Sequence, residues 1–163
     1  MSIAVCPGSF DPITYGHLDI VRRAARLFEV VVVGVAHNAS KSALLKPEER
    51  IEVVRGALAE DPDLGSVRVE PVPGLLVDFC RQVGAVAVVK GLRGGADFDG
   101  EHPMALMNRH LSGVETVFLP AEQRYAHVAS SLVKDIARHG GPIDDLVPPA
   151  AAEAVRAAIA HRA

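Results

Sequence analysis

The sequence predicts an α/β fold, a single domain built on a doubly wound, five-stranded parallel sheet with helices on both faces. Two observations predict it. Short apolar runs rich in β-branched residues alternate with amphipathic segments along the whole chain. The runs at residues 3–6 and 30–36 and the segment 86–89 are apolar throughout rather than at every second residue, which is typical of strands covered on both faces. The 163 residues, 49% of them hydrophobic, fit one domain with a substantial core.

Each predicted strand is followed by a predicted helix. The strands span residues 3–6, 30–36, 67–72, 86–90 and 115–119, and the helices span residues 18–28, 47–60, 75–83, 97–111, 130–139 and 149–162. Pro47 followed by two glutamates marks a helix start, and Gly140 and Gly141 before Pro142 mark a helix end. No repeat or linker interrupts this pattern, so residues 1–163 are expected to form one domain that ends in a C-terminal helix.

The composition argues against several classes of protein. The formal net charge of −3 provides no overall basic field for long nucleic acids, so no nucleic-acid partner is expected. No apolar run approaches the roughly 20 residues of a membrane span, and Met1 leads into a strand rather than a signal peptide. Cys6 and Cys80, both in apolar runs, are typical of buried thiols rather than a disulfide framework. We expect a cytoplasmic protein with no membrane partner.

The loop after the first predicted strand has the composition of a phosphate-binding loop. It runs from Pro7 to His17, contains two glycines and ends at a helix N-terminus, whose free N–H groups attract anions. The alternative is a tight turn in which Ser9 and Thr14 serve as caps. The helix dipole disfavours protonation of His17, which would donate to a phosphate oxygen; a solvent-facing histidine is the alternative.

Further cations follow other strands at the same predicted edge of the sheet, where doubly wound folds bind ligands. Lys41 lies in the loop after the second strand, Lys90 closes the fourth strand, and Arg93 follows in a glycine-rich turn. Each cation alone is consistent with a solvated loop charge. Together with His17 they indicate a site for substrate phosphates, with lysine as a point charge and arginine as a planar fork.

Longer motifs carry a family resemblance. The run PGSFDPITYGH, with Thr14, Tyr15, Gly16 and His17, resembles the T/H-x-G-H signature of nucleotidyltransferases. The motifs LLKPEER, GLLVDF, VKGLRGGADFDGE, MNRHL and YAHVASSLVKD then follow in an order and spacing that resemble bacterial phosphopantetheine adenylyltransferases. The similarity extends from Val5 to about Leu146 and implies a Rossmann-like nucleotidyltransferase fold.

The resemblance implies a reaction of coenzyme A biosynthesis. ATP and 4′-phosphopantetheine would give 3′-dephospho-coenzyme A and pyrophosphate, with Mg²⁺ as the cofactor. The resemblance also implies a homohexamer and makes coenzyme A a candidate feedback ligand. No protein ligand of Mg²⁺ is assigned, because phosphate oxygens and waters supply most of its ligands.

Site residues follow from the same resemblance. The expected catalytic residues are His17, Lys90 and Arg93. The acceptor is expected to contact Ser9, Lys41, Leu76, Lys90 and Asn108, with Asp135 as a further candidate. ATP is expected to contact Ser9, Phe10, His17, Gly91, Leu92, Arg93, Glu101, Tyr125, Ala126, His127, Val128, Ala129, Ser130 and Ser131.

Several positions depart from the family pattern. Gly100 stands where the family usually has an aromatic residue, and Pro103 follows shortly after, which predicts a rearranged start of that helix. In the last loop, Ala126 and Ala129 stand where serines are usual, and His127 stands where an aromatic residue is usual. We expect these changes to affect affinity rather than the type of reaction.

The chemistry of the acceptor predicts a direct mechanism. The second pKa of a phosphomonoester is about 6, so the attacking oxygen is mostly ionised at neutral pH and needs no general base. No paired nucleophile and base calls for a covalent intermediate. Direct in-line attack is therefore expected, with charge stabilised by the catalytic residues and Mg²⁺.

Three other functions stay open at this point. The first is another nucleotidyltransferase of the superfamily, acting for example on nicotinamide mononucleotide; GLLVDF and MNRHL favour phosphopantetheine instead. The second is a noncatalytic ATP sensor. The third, a nucleic-acid-binding protein, is disfavoured because Arg22, Arg23 and Arg26 fit a solvated helix face.

Overall fold

Five parallel strands form one sheet in the order β3-β2-β1-β4-β5 in the computed structural model, which describes residues 1–37 and 42–163. The strands are β1 (Ile3–Gly8), β2 (Val30–Ala36), β3 (Arg68–Val72), β4 (Ala87–Leu92) and β5 (Glu115–Pro120). The order reverses between β1 and β4, so this fold has its topological switch point there. The predicted fold class, a single α/β domain with a doubly wound parallel sheet, is confirmed.

The crossover connections carry the helices. These are α1 (Tyr15–Leu27), α2 (Pro47–Ala59), α3 (Leu76–Val83), α4 (Gly95–Ser112), α5 (Ser130–Arg138) and α6 (Pro149–Arg162). Two single turns of 3₁₀ helix, Pro62–Leu64 and Gln123–Tyr125, were not predicted from the sequence. In the described part of the chain, no helix combines the length and the apolar character needed to cross a membrane.

Side chains of successive strand residues enter two cores, one on each face of the sheet. Ala4 and Cys6 of β1 pack on one side with residues of α1, α2, α5 and α6, whereas Val5 packs on the other side with α3. Strands that are apolar at every position are explained by this two-sided burial. Cys6 and Cys80 are free, buried thiols, as the sequence predicts.

Two strands, β1 and β4, extend two residues past their predicted ends. β1 continues to Gly8 because Pro7 and Gly8 pair with β2, and β4 continues past Lys90 because Gly91 and Leu92 pair with β5. The prediction that Lys90 closes its strand is therefore wrong, and Gly91 and Leu92 belong to a strand rather than a loop. A Cβ atom at Gly91 would lie 2.7 Å from Cγ1 of Ile20, so the absence of a side chain lets α1 pack closely on β4.

The helix α4 also differs from expectation. It begins at Gly95 and runs unbroken through Pro103 to Ser112, so the predicted rearrangement of its start is wrong. Pro103 has no N–H to donate to the carbonyl of Asp99, and Asp99 is an exposed residue of the helix.

The arginines of α1 are not all solvated. Arg22 forms an ion pair with Asp61, and Arg23 contacts the buried Asp19 at 3.2 Å and donates to the Pro120 carbonyl at 2.6 Å. Arg26 alone of these three is exposed, so the expectation of a solvated face holds for one residue. The other two arginines attach α1 to its neighbours.

Candidate active site

The T-x-G-H motif forms the start of α1. Thr14 is the N-cap: its backbone N–H donates to Nδ1 of His17 at 3.0 Å, and the His17 N–H donates back to Thr14 Oγ1 at 3.3 Å. Each residue satisfies a polar group of the other, as in a capping box. Thr14 is therefore a cap, as the sequence alternative held, and the same cap fixes the orientation of the His17 ring.

Phe10 supports His17 from the preceding loop. Its φ angle of 49° is in the left-handed region, which non-glycine residues rarely occupy and which clusters at functional sites. The ring is 5% exposed and meets the His17 ring edge-on, with 5.1 Å between centroids. This contact restrains the imidazole in addition to its cap.

Two cations lie beside His17, and each is paired with an acid of α4. Lys90 Nζ lies 3.3 Å from Glu101, and the Arg93 side chain and backbone N–H both bond to Asp97. Burial, followed by the charges of Arg93 and Lys90, lowers the pKa of His17 from 6.5 to about 4. His17 is therefore neutral at physiological pH, in agreement with the expectation from the helix dipole.

A first cavity of about 370 Å³ opens above β1 and β4, at the switch point of the sheet. The N-termini of α1 and α5 both border it, so free backbone N–H groups are available for an anion. The cavity brings together most of the residues predicted to hold ATP or to act in catalysis: Phe10, His17, Lys90, Gly91, Arg93, Glu101, Tyr125, Val128, Ala129, Ser130 and Ser131.

A second cavity of about 480 Å³ lies between α3 and α4 and is mostly apolar. Ser9, Leu76, Lys90 and Asn108, all predicted to contact the acceptor, line it. The two cavities share Pro7, Gly8, Lys90 and Glu101 in their linings, so they adjoin at these residues.

Some predicted residues lie elsewhere. Leu92, Ala126 and His127 line neither cavity, and Ser9, predicted for both substrates, lines only the second one. Asp135 is exposed on α5 and lines neither cavity. Lys41 lies outside the described residues.

Sequence reasoning missed several residues that shape the site. Asp97 orients Arg93, and its spacing of four residues from Arg93 is a signal that could have found it. The second cavity also contains Met104 and Thr116, which no motif distinguishes from ordinary helix and strand residues, and Met107, which begins the motif MNRHL but has no predicted contact.

Comparisons with known proteins identify the family of this chain. The cytidylyltransferase-like family model matches residues 5–136. A phosphopantetheine adenylyltransferase of Nocardioides sp. is 57% identical over 150 residues, covering 92% of each chain. That of Streptomyces coelicolor is 52% identical over 162 residues, covering 99% of this chain and 100% of the relative.

A solved structure supports the fold. A Vibrio parahaemolyticus protein described as a nicotinate-nucleotide adenylyltransferase superposes with a TM-score of 0.71 at 17% identity, covering 100% of this chain and 98% of that one. At this identity the likeness bears on the fold alone. The sequence relatives bear on the family, and they show that this chain belongs to the phosphopantetheine adenylyltransferases, within the cytidylyltransferase-like family.

Proposed function

We propose that this chain transfers the adenylyl group of ATP to 4′-phosphopantetheine, giving 3′-dephospho-coenzyme A and pyrophosphate. The observation that carries the proposal is the junction of the two cavities at Lys90, Glu101 and the end of β1. Adenylyl transfer requires two anionic substrates held with the acceptor oxygen next to the α-phosphorus. The names of the most similar relatives support this choice of substrates.

ATP is assigned to the first cavity. Its polyphosphate would lie between the N-termini of α1 and α5, near Ser130 and Ser131, and would receive hydrogen bonds from backbone N–H groups. Arg93 would provide a planar fork for phosphate oxygens. Leu92, Ala126 and His127 are next in sequence to residues that line this cavity but do not line it themselves, so their contacts with ATP remain predictions.

Phosphopantetheine is assigned to the second cavity. Its apolar walls, including Leu76 and Met104, suit the alkyl parts of the pantetheine arm, and the buried side chain of Asn108 suits an amide group of that arm. The acceptor phosphate would then lie where the two cavities adjoin, at Lys90 and near Ser9, which follows Gly8 in the lining of the second cavity. Lys41 is retained as a predicted contact of the same phosphate.

The chemical step needs no covalent enzyme intermediate. An oxygen of the acceptor phosphate forms a bond to the α-phosphorus while the bond from that phosphorus to the β-phosphate oxygen breaks, and pyrophosphate leaves with the electron pair. Neutral His17 donates from Nε2 to an α-phosphate oxygen, and Lys90 and Arg93 stabilise the charge that develops. The main contribution of the protein is the alignment of two anions.

Mg²⁺ fits the site as a companion of ATP. Among residues 1–37 and 42–163, no group of three or more histidines, cysteines or acids is placed to hold a metal ion. Asp97 and Glu101 are the carboxylates of the first cavity, and one of them would complete a ligand set formed by phosphate oxygens and waters. When bound, the ion neutralises charge on the polyphosphate.

Pyrophosphate release tests the proposal. The protein is incubated with Mg-ATP and 4′-phosphopantetheine, nicotinamide mononucleotide or no acceptor, and released pyrophosphate is measured together with ATP binding. Release with phosphopantetheine only is expected. Release with nicotinamide mononucleotide only would assign a different acceptor, and ATP binding without release in any arm would indicate a sensor.

We also propose a homohexamer in the cytoplasm. Phe98 is 40% exposed and Leu106 is 46% exposed on α4, and neither lines a cavity, so a second copy of the chain would cover them. Sedimentation should give six times the chain mass of 17.2 kDa; a monomer would contradict the proposal.

Coenzyme A is the proposed feedback ligand. It contains the same pantetheine arm as the acceptor and would therefore occupy the second cavity. Inhibition that is competitive with phosphopantetheine is expected, and inhibition competitive only with ATP would contradict this assignment.

A further inference from the structure

Asp11 lies beneath the candidate site and binds two other segments of the chain. It is 5% exposed, its Oδ1 accepts from the Leu45 N–H at 2.8 Å, and its Oδ2 accepts from the Leu44 N–H at 2.9 Å. Nζ of Lys134, on α5, donates to Oδ2 at 2.8 Å. Thus one carboxylate joins the β1–α1 loop, the segment before α2 and α5.

Two of these segments form the walls of the first cavity. The β1–α1 loop carries Phe10 and leads to His17, and α5 begins with Ser130 and Ser131, which face the same cavity. A second bond joins the same two walls, because Ser130 Oγ donates to the Pro12 carbonyl at 2.8 Å. The position of α5 relative to His17 therefore depends on contacts that Asp11 and its neighbour Pro12 make.

We propose that Asp11 is a positioning residue, which holds the β1–α1 loop in alignment with α5 and with the segment before α2. The proposal rests on the proposed function, because alignment matters only if two substrates react across this site. Asp11 lines neither cavity and acts through Phe10, His17 and the N-terminus of α5.

Only an ionised carboxylate satisfies these partners. Two N–H groups and one ammonium group all donate to it, and an amide in its place would turn a donor toward at least one of them. Burial alone would raise the pKa of Asp11, but the hydrogen bonds from Lys134, Leu45 and Leu44 outweigh it and hold this pKa below its ordinary value. Asp11 is therefore charged throughout the range of an activity assay.

The loop has a second support, so loss of Asp11 should displace it rather than unfold it. Arg50 is 1% exposed and donates to the carbonyl groups of Ser9, Ala36 and Leu45 at 2.7 to 3.2 Å. These three bonds keep the loop attached to β2 and α2 when the carboxylate is neutralised.

Asp11→Asn tests the proposal, with Asp61→Asn as its matched control. Like Asp11, Asp61 pairs with a cationic side chain, here that of Arg22, and accepts a backbone N–H. It is the N-cap of the 3₁₀ turn Pro62–Leu64 and lines neither cavity. Asp11→Asn should lower kcat about 10- to 100-fold, the expected cost of misalignment of about 1 Å. Asp61→Asn should leave kcat within about twofold of the wild-type value, even if its midpoint of thermal unfolding falls as much as that of Asp11→Asn.

Lys134 provides an independent test if Asp11→Asn fails to fold. Lys134→Met should lower kcat, as Asp11→Asn does. Lys134→Arg, which keeps the positive charge, should retain most of the wild-type kcat. ATP affinity, measured by calorimetry, gives a readout that does not depend on turnover, and it should weaken in Asp11→Asn and Lys134→Met.

The outcomes separate the two proposals. Wild-type protein that binds ATP but releases no pyrophosphate would contradict the proposed function, and the ATP affinities would still decide the role of Asp11. Values of kcat and ATP affinity within about twofold of wild type in the folded Asp11 and Lys134 variants would overturn the positioning role.

Discussion

The backbone N–H of Thr14 points at Nδ1 of His17 from 3.0 Å, so this ring nitrogen accepts a hydrogen bond. A neutral imidazole with an acceptor at Nδ1 carries its proton on Nε2. The spacing of the motif thus does more than cap α1, because it also selects the Nε2-protonated tautomer of a histidine that lines the first cavity. Phe10, edge-on to the same ring, holds the imidazole in that orientation.

We predict that His17 stays neutral and Nε2-protonated well below its ordinary pKa. Burial and the nearby cations lower this pKa from 6.5 to about 4, so between these values the unfolded chain binds a proton that the folded chain does not. The contribution of His17 to stability is therefore complete above pH 6.5 and declines as pH falls toward 4. A nitrogen-15 NMR titration of the imidazole measures both the tautomer and the pKa of His17. A titration midpoint near pH 6.5 would contradict the prediction.

Removal of His17 should impair the reaction far more than the fold. His17→Ala is expected to lower kcat about 100- to 1000-fold, the usual cost of losing one donor to a transition state. His17→Gln extends an amide N–H toward the position of Nε2 and should retain about tenfold more activity than the alanine variant. Single-turnover kinetics at saturating ATP measures the step, and a rate near wild type for His17→Ala would remove His17 from the mechanism.

Gly91→Ala should displace α1. The new Cβ would lie 2.7 Å from Cγ1 of Ile20, and overpacking of this kind costs about 1–3 kcal/mol. Because α1 carries His17, kcat should fall as well. Combination with Ile20→Ala removes the clash, so the two substitutions should be strongly non-additive in urea unfolding. Additive free energies of unfolding would show that the backbone, rather than Ile20, accommodates the methyl group.

Glycines of α4 should respond in opposite directions. Gly100 lies inside the helix with open space around its Cα, so Gly100→Ala should stabilise the protein by about 0.5–1 kcal/mol. Gly113, with φ of 79°, ends the same helix in the left-handed region, and Gly113→Ala should destabilise it by about 1 kcal/mol. Thermal unfolding of the two variants measures the contrast, and shifts of the same sign would contradict it.

The fold could be predicted because local patterns carried the information, and the family resemblance named eleven residues that the structure places around the first cavity. Apolar runs located the strands, and the T-x-G-H motif placed His17 at a helix start. Asp11 and Arg50 could not be predicted, because their partners, such as Lys134, are distant in the chain and a buried arginine on an amphipathic helix resembles a solvated one in sequence. The extension of β4 past Lys90 depends on pairing with β5, which no local pattern encodes.

Asp97→Asn should separate two effects of this carboxylate, the orientation of Arg93 and the electrostatic repulsion of ATP. The carboxylate accepts from the Arg93 backbone N–H at 2.9 Å and from Nε at 3.1 Å, and these bonds lower the pKa of Asp97. Because the pair is partly exposed, its loss should lower kcat only about two- to fivefold. The cavity gains one unit of positive charge, so KM for ATP should stay level or fall.

The matched control for this prediction is Asp78→Asn. Asp78 pairs with Arg81 on α3 at 2.8 Å, and neither of these two residues lines the first cavity, so kinetic constants should not change. Raised ionic strength should reduce the difference in KM between Asp97→Asn and wild type, because screening weakens the extra attraction. A higher KM for ATP with unchanged kcat in Asp97→Asn would instead mean that Asp97 contributes to ATP binding, for example as a ligand of Mg²⁺, and does not orient Arg93.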